Sequence, residues 1–269
     1  MNKNIGILGC GWLGFPLAQK LIEQGYKVKG TTTSSNKLEV LQNEKIIPYQ
    51  INLSEDGIKG NIEGFLSNIE TLIIDIPPKL REKHTESFVE KMKFLISAIR
   101  ESEVSKVIFV SSTAVYGNAE GEVSESSPLE PVTESGKQLV ECENLFTNEK
   151  GFKTTIIRFG GLIGPDRHPV TTLSGKEHLS NGNHPINLIH SKDCIHMILT
   201  ILEQSYWGEV FNGVYPHHPK KQVYYFEEAQ KRGLPTPSYE TESFQKKGKI
   251  VLSKNFLDKN QSFTTPIIS

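Results

Sequence analysis

The chain has little of what marks membrane proteins, nucleic-acid-binding proteins and disulfide-rich proteins. No apolar run approaches the ~20 residues that are needed to span a bilayer. The 30 Lys and Arg residues are balanced by 31 Asp and Glu residues, so no overall basic field attracts nucleic acid. The three cysteines, Cys10, Cys142 and Cys194, have neither paired nor metal-like spacing. We therefore expect a cytoplasmic protein without a leader peptide, and we expect no membrane, nucleic-acid or metal partner.

Short apolar runs alternate with helical patterns through the N-terminal half of the sequence. The runs Ile5–Gly9 and Thr71–Ile76 are interpreted as strands, and Lys106–Val110 shows no polar alternation, which is typical of a strand buried on both faces. Strands that alternate with helices predict βαβ units and a parallel sheet. The sequence therefore predicts a Rossmann-type, doubly wound α/β fold.

The composition changes after Pro165. Residues 166–186 are polar and contain several Gly and His residues, whereas residues 216–269 are rich in Lys, Pro and aromatic side chains. A strand, helix and strand pattern lies between these two regions. We expect a dinucleotide-binding Rossmann domain in residues 1–165, completed by residues 187–215. The regions 166–186 and 216–269 are expected to form a small α+β cap for the substrate.

A glycine-rich loop follows the first predicted strand. The run Gly9–Gly14 reads G-C-G-W-L-G, which is a G-x-G-x-x-G sequence at the start of the first predicted helix. In such a loop the first glycine makes the tight turn, and the second lets the main chain approach a pyrophosphate. The third glycine lets helix and strand pack closely, and the helix N-terminus offers N–H groups and a positive dipole end. This arrangement predicts a dinucleotide site.

The exit of the second predicted strand lacks an acidic residue. Residues 31–37 read T-T-T-S-S-N-K, and the first carboxylate after them belongs to Glu39. An acid at this point binds the ribose 2′-hydroxyl of NAD and repels the 2′-phosphate of NADP. Its absence, with Lys37 close by, favours NADP slightly and leaves NAD open.

Three later segments resemble motifs of one superfamily. Val110–Gly117 reads V-S-S-T-A-V-Y-G, Ile156–Arg158 precedes Gly164-Pro165, and Asn187–Asp193 reads N-L-I-H-S-K-D. These segments resemble motifs of extended short-chain dehydrogenases/reductases, the group that includes NAD-dependent epimerases and dehydratases. The stretches G-W-L-G-F-P-L-A, P-V-T-E-S-G-K and G-P-D-R-H-P are similar to those of its atypical, YeeZ-like subgroup.

The resemblance implies three groups for the chemistry. A Ser or Thr binds the substrate oxygen, a Tyr exchanges the proton, and a Lys four residues later lowers the pKa of that Tyr and holds the nicotinamide ribose. Ser112 and Lys137 match the first and third positions, but the tyrosine position holds Thr133. A threonine hydroxyl ionises far above a phenol, whose pKa is about 10, so one nearby ammonium does not make Thr133 an acid or base.

Three interpretations of this departure stay open. Another residue exchanges the proton, and the candidates are Tyr116, Glu134 and His168. Alternatively, Thr133 relays the proton through a water molecule, or the protein binds the dinucleotide without turnover. A tyrosine in a V-Y-G strand exit is more often structural than catalytic, which counts against Tyr116.

The resemblance implies an NAD(P)-dependent oxidoreductase or epimerase/dehydratase-like enzyme that acts on a small polar or sugar-nucleotide substrate. A non-catalytic dinucleotide-binding sensor or scaffold is the alternative. Extended relatives often dimerise through two helices, so a homodimer is implied as well. The residues expected to contact the cofactor are Gly9, Gly11, Trp12, Leu13, Gly14, Thr32, Ser34, Lys37, Ile76 and Lys137. Those expected at the reacting centre are Ser112, Thr133, Lys137 and Tyr116.

Three further acidic residues receive structural interpretations. Asp193 is expected to cap the helix that begins near it, because its carboxylate can accept the free N–H groups of a first turn. Glu141 and Glu143 follow Lys137 on a predicted helix, where we expect them to face solvent or to pair with lysine.

Overall fold

The computed structural model describes residues 3–78, 86–240 and 247–267. Its strands are β1 (Asn4–Leu8), β2 (Lys27–Thr32), β3 (Ile47–Gln50), β4 (Asn52–Ser54), β5 (Gly57–Lys59), β6 (Thr71–Ile74), β7 (Lys106–Ser112), β8 (Gly121–Val123), β9 (Lys153–Phe159), β10 (Gly161–Ile163), β11 (Leu188–His190), β12 (Val210–Gly213) and β13 (Lys249–Val251). Its α-helices are α1 (Gly14–Glu23), α2 (Leu38–Asn43), α3 (Ile62–Leu66), α4 (Phe88–Arg100), α5 (Glu134–Thr147), α6 (Pro169–Leu173), α7 (Ser191–Gln204), α8 (Lys221–Lys231) and α9 (Lys254–Leu257). Short 3-10 turns cover Ser35–Lys37 and Thr113–Tyr116.

Seven strands form one sheet in the order β12–β9–β7–β6–β1–β2–β3. The pairs that β1 makes with β2 and β6 are parallel, as are the pairs β2–β3 and β6–β7. The chain runs outward from β1 to β3 and then returns to β6 on the other side of β1, so the strand order reverses beside β1. This order confirms the predicted Rossmann-type, doubly wound fold.

The chain divides into two units, which we call unit 1 and unit 2. Unit 1 comprises residues 1–112, 133–157 and 198–210. Its helices α1 and α4 each bury one apolar stripe, because apolar residues recur every three or four positions. In α1 the buried residues include Leu17, Ala18 and Leu21. A fully buried Leu or Ile contributes roughly 1.5–3 kcal/mol, so these stripes are what hold the helices on the sheet.

Unit 2 comprises residues 113–132, 158–197 and 211–269. Its short strands pair in parallel as β10–β11 and β8–β13. A buried cluster joins β10 and β11 to α6 and α8, and it contains Ile163, Val170, Ile186, Leu188, Tyr224, Tyr225, Ala229 and Ile267. The cap region 216–269 that the sequence predicts includes residues 241–246 and 268–269, which lie outside the described residues.

The expected helix-capping role of Asp193 is wrong. Asp193 is fully buried in the first turn of α7, and its carboxylate accepts hydrogen bonds from the N–H groups of Thr264 and Thr265 and from the Thr264 hydroxyl. The imidazole Nδ1 of His190 instead accepts the N–H of Lys192 at the start of α7. Asp193 therefore fastens the C-terminal segment of unit 2, because a buried carboxylate needs several donors and that segment supplies them.

No helix among the described residues is both long enough and apolar enough to cross a membrane.

Candidate functional site

The glycine loop lies at the exit of β1, beside the reversal of strand order. Gly9 has a φ of 108°, and a Cβ atom there would lie 2.4 Å from the carbonyl oxygen of Asp75. A Cβ atom on Gly14 would lie 2.1 Å from the carbonyl oxygen of Gly9. Contacts this short do not occur, so the chain's own packing requires glycine at both positions.

Gly11 differs from the other two glycines of the loop. A Cβ atom on Gly11 would meet no atom within 4 Å, and the residue is exposed. Its φ is not among the positive values found in the described chain. Neither packing nor backbone conformation therefore requires glycine here. A glycine is needed at this position when a ligand must approach the main chain closely.

The N-terminus of α1 is open to an anion. Its N-cap residue, Leu13, makes no side-chain capping hydrogen bond, and its first turn carries no acidic residue. Thr31 of β2 supports the loop through two hydrogen bonds. The Thr31 hydroxyl accepts the N–H of Gly9 (2.9 Å), and the Thr31 carbonyl accepts the N–H of Cys10 (2.8 Å). The remaining N–H groups and the dipole of α1 favour a phosphate at this point. The loop thus fits the diphosphate of a dinucleotide.

Three other residues expected to contact a cofactor lie around this loop. The side chain of Leu13 is buried, with 2% exposed, so only its main chain is available to a ligand. Trp12 is half-buried next to it. Ile76, half-buried after β6, lies so close to Gly9 that a Cβ atom there would be 2.7 Å from its Cγ2. The structure therefore brings the exit of β6 against the glycine loop.

The exit of β2 is polar and carries no carboxylate before Glu39. The buried Thr32 accepts the N–H of Ser34 at its hydroxyl (3.2 Å), and the half-buried Ser34 donates its hydroxyl to Asn36. Lys37 is exposed at the end of the short turn. These side chains fix the local turn, and residues 31–38 themselves carry no acid that would repel an anion.

Ser112 and Lys137 also belong to unit 1. Ser112 is half-buried at the end of β7, which lies two strands from β1 in the sheet. Parallel strands end at the same edge and are spaced about 4.8 Å apart, so Ser112 lies roughly 10 Å along that edge from the glycine loop. Helix α5 packs against β7 and carries the exposed Lys137, whose ammonium makes no hydrogen bond or ion pair with any described residue.

Thr133 is the N-cap residue of α5. It has extended backbone angles, and its hydroxyl accepts the N–H of Gly136 at 3.1 Å. This is the usual role of threonine at a helix start. The next residue, Glu134, is exposed in the first turn of α5 and accepts a hydrogen bond from Gln138 at 2.9 Å.

Tyr116 and its partners lie in unit 2. The ring is fully buried, and its hydroxyl donates to Asn212 (2.8 Å) and accepts from the Arg158 guanidinium (2.8 Å). Burial raises the pKa of Tyr116, and the charge of Arg158 partly opposes that shift. This geometry favours the structural interpretation of Tyr116 over proton exchange.

His168 is buried in the core of unit 2. Its Nδ1 accepts the N–H of Val170, so Nε2 carries the proton and donates to the Tyr224 hydroxyl at 2.9 Å. Burial, and then the positive charge of Arg232, lower the pKa of His168 to about 4. His168 is therefore neutral near pH 7. A neutral, enclosed imidazole of this kind is poorly suited to deliver a proton.

Two residues that form hydrogen bonds near the site in unit 1, Glu143 and Thr31, were not singled out by the sequence motifs. Glu143 is buried, with 3% exposed, and accepts a hydrogen bond from Ser111, so the expectation that it faces solvent is wrong. Thr31 supports the glycine loop through two hydrogen bonds. Thr31 could have been suspected from its position at the end of β2, whereas nothing local marks Glu143. Glu141 is exposed, as expected.

The described residues hold no group of three or more His, Cys, Asp or Glu side chains that could bind a metal ion. Cys10 lies inside the glycine loop but is buried, and burial raises its pKa to about 12. Its thiol therefore stays protonated at neutral pH and is a poor nucleophile.

Comparisons with known proteins agree with this geometry. The profile of the NAD dependent epimerase/dehydratase family matches residues 5–212. The protein YeeZ of Escherichia coli strain K12 is 33% identical over 250 residues, which cover 93% of this chain and 91% of that protein.

Solved structures share the fold. A UDP-glucuronic acid 4-epimerase from Bacillus cereus, in complex with NAD, has a TM-score of 0.78 at 17% identity and covers 99% of this chain and 92% of its own. A UDP-N-acetylglucosamine 4-epimerase from Methanobrevibacter ruminantium M1, in complex with UDP-N-acetylmuramic acid, has a TM-score of 0.75 at 18% identity and covers 98% and 93%. With a Rossmann sheet, a glycine loop at its reversal point and a family profile that spans most of its length, the chain belongs to the NAD-dependent epimerase/dehydratase family.

Proposed function

We propose that the chain binds a nicotinamide dinucleotide at the glycine loop and acts as an oxidoreductase or epimerase/dehydratase-like enzyme on a small polar substrate. The open space at Gly11 is the observation that carries this proposal, because the packing of the chain does not require glycine there and the close approach of a ligand to the main chain would. The family membership and the names of the two epimerases support a sugar nucleotide as the substrate class.

The cofactor would be held by residues of unit 1. Main-chain N–H groups of the loop and of the α1 N-terminus would bind its diphosphate. Lys137, which has no other described partner, would donate to the hydroxyls of the nicotinamide ribose. Ser112 would bind the substrate oxygen. When bound, the nicotinamide supplies hydride transfer.

The side chains after β2 favour NADP over NAD. Thr32 and Ser34 are uncharged, and Lys37 is exposed within the same turn. A 2′-phosphate carries negative charge that an ammonium attracts, whereas an acid at this position would repel it. Binding of NADPH should therefore be at least as tight as binding of NADH.

The proton would come from Glu134, directly or through a water molecule. The Thr133 hydroxyl already accepts a helix N–H, and Tyr116 and His168 are enclosed in unit 2. Glu134 is the acidic group next to Thr133, is exposed, and lies on the same first turn of α5. A carboxyl group can exchange protons with a sugar hydroxyl when it is within hydrogen-bond reach.

A non-catalytic dinucleotide-binding sensor is the second candidate. The observation that favours it is the capping role of Thr133, which replaces the superfamily's acid/base by a structural residue. A homodimer, through two helices by analogy with extended relatives, is compatible with either function. In a sensor the bound cofactor would change that association.

Titration of NADH and NADPH, followed by nicotinamide fluorescence, tests the proposed site. The variant Gly11→Ala should weaken binding of both nucleotides by about tenfold or more, since each tenfold corresponds to about 1.4 kcal/mol of lost phosphate contact. Its stability should not change, because the new methyl group meets no protein atom. The matched control is Gly151→Ala, where a Cβ atom would also fit, 3.5 Å from Glu149. Unchanged affinity in Gly11→Ala, or no binding by the wild type, would refute the proposal.

A further inference from the structure

A buried carboxylate connects two elements of unit 1. The Ser111 hydroxyl donates to Oε1 of Glu143 at 2.6 Å, and the two residues have 5% and 3% of their surfaces exposed. Burial of a carboxylate is costly unless hydrogen bonds replace its lost hydration. The neighbouring buried positions of α5 are Leu139, Cys142 and Phe146. An apolar residue at position 143 would therefore continue this stripe without that cost.

The two partners lie next to the residues assigned to binding and chemistry. Ser111 directly precedes Ser112 at the end of β7. Glu143 lies six residues after Lys137 on α5, which is about 9 Å along a helix. One hydrogen bond thus joins the strand that presents Ser112 to the helix that presents Lys137.

We infer that Glu143 is a positioning residue, whose hydrogen bond with Ser111 fixes α5 on β7 so that Lys137 reaches the nicotinamide ribose. Apolar contacts tolerate a small slide of a helix on a sheet, whereas a hydrogen bond sets both a distance and a direction. A displacement of about 1 Å is enough to impair a positioned group. This inference rests on the proposed function, which assigns Lys137 to the cofactor.

The two halves of the cofactor allow a specific readout. The diphosphate would bind at the glycine loop on β1 and α1, whereas Glu143 lies on α5 and bonds to β7, so ADP reports on the diphosphate half alone. NADH adds the nicotinamide riboside, which Lys137 would hold. The quantity to measure is therefore the ratio of the dissociation constant of ADP to that of NADH, by titration calorimetry with the full chain.

Lys137→Met should lower this ratio by about tenfold, as expected for one lost hydrogen bond to a charged group. Glu143→Leu should lower it by about as much. The double variant should lower it no further, since both changes remove the same contact. Glu143→Gln should keep the ratio near the wild-type value, because its amide oxygen still accepts the Ser111 hydroxyl.

Ser111→Ala provides a second, smaller change that tests the same bond if Glu143→Leu fails to fold. The matched control is Thr154→Val, which removes another buried hydrogen bond of α5, from the Thr154 hydroxyl to the Phe146 carbonyl at 3.1 Å. Thr154→Val should lower the melting temperature and leave the ratio unchanged.

The outcomes distinguish the role inferred for Glu143 from the proposed assignment of Lys137 to the cofactor. If Lys137→Met leaves the ratio unchanged, the assignment of Lys137 fails and the inference fails with it. If Lys137→Met lowers the ratio but Glu143→Leu and Ser111→Ala do not, the inference alone is overturned. An equal loss in Thr154→Val would show that any loosening of α5 has this effect, and would also overturn it.

Discussion

At the scale of single residues, Thr133 is the departure that matters most. The sequence resemblance implies a phenol at this position, and the two proposed functions interpret the threonine there as a relocated proton donor or as a lost activity. The structure adds a positive role, since the Thr133 hydroxyl accepts the N–H of Gly136 and begins α5. A capping residue at this point also fixes the first turn that carries Glu134 and Lys137. The Thr133 side chain can thus lack acid/base chemistry and still hold the start of α5.

Substitution of Thr133 should therefore change the free energy of unfolding. Thr133→Ala should lower the free energy of unfolding by about 1 kcal/mol, whereas Thr133→Ser and Thr133→Asp, which keep a capping oxygen, should stay within about 0.5 kcal/mol of the wild type. Urea denaturation measures these differences. Thr33→Ala, at another exposed threonine, serves as the control and should change little. Equal stabilities for the Ala and Ser variants would contradict the capping role.

At the scale of elements, what the sequence predicts depends on how far apart the interacting residues lie. The β1–loop–α1 unit was predictable because strand, glycines and helix are consecutive, and the motif has one mechanical solution. The bond between Ser111 and Glu143 spans 32 residues, and the bonds from Thr264 and Thr265 to Asp193 span 71 and 72. Such contacts exist only after the chain has folded, so the local pattern assigned Asp193 to its own helix and Glu143 to solvent or a lysine pair.

The link between α6 and α8 in unit 2 should depend on pH through His168. This residue caps α6 and donates to Tyr224 on α8, with the Glu228 carboxylate 3.8 Å from its Nε2. Its pKa is about 4 in the folded protein and 6.5 in a model peptide, so between these values the unfolded chain binds more protons. Stability from His168 is therefore complete above about pH 6.5 and is lost as the pH falls towards 4.

The measurement compares wild type with His168→Asn, which keeps a capping side chain but does not titrate. The stability difference between them should shrink by about 2 kcal/mol from about pH 7.5 to about pH 5, as followed by urea denaturation. His178→Asn, at an exposed histidine with a φ of 54° that asparagine tolerates, is the control and should not alter the slope. A pH-independent difference for His168→Asn would show that the imidazole is not held neutral.

At the scale of the whole molecule, the assigned cofactor contacts all belong to unit 1, and Tyr116 and His168 belong to unit 2. Binding at unit 1 must stabilise the folded chain, because the unfolded chain has no cradle for a dinucleotide. At a concentration of about 100 times the dissociation constant, the better of NADH and NADPH should add about 2.7 kcal/mol to the free energy of unfolding. For a chain of this size, each kcal/mol raises the melting temperature by about 2–4 °C.

The same thermal measurement distinguishes an enzyme from a sensor. With the better cofactor saturating, an enzyme has a second ligand to bind, so a sugar nucleotide such as UDP-glucuronic acid should raise the melting temperature further and be converted. A sensor has no second ligand, and its cofactor should instead change the sedimentation coefficient through a changed association. Gly11→Ala should shift either response to higher cofactor concentration, since both begin with the same loop. The sensor function is supported if the sugar nucleotides tested neither raise the melting temperature further nor yield a product, and if the cofactor alters the sedimentation coefficient. The protein then uses the family's fold to bind the dinucleotide without catalysis.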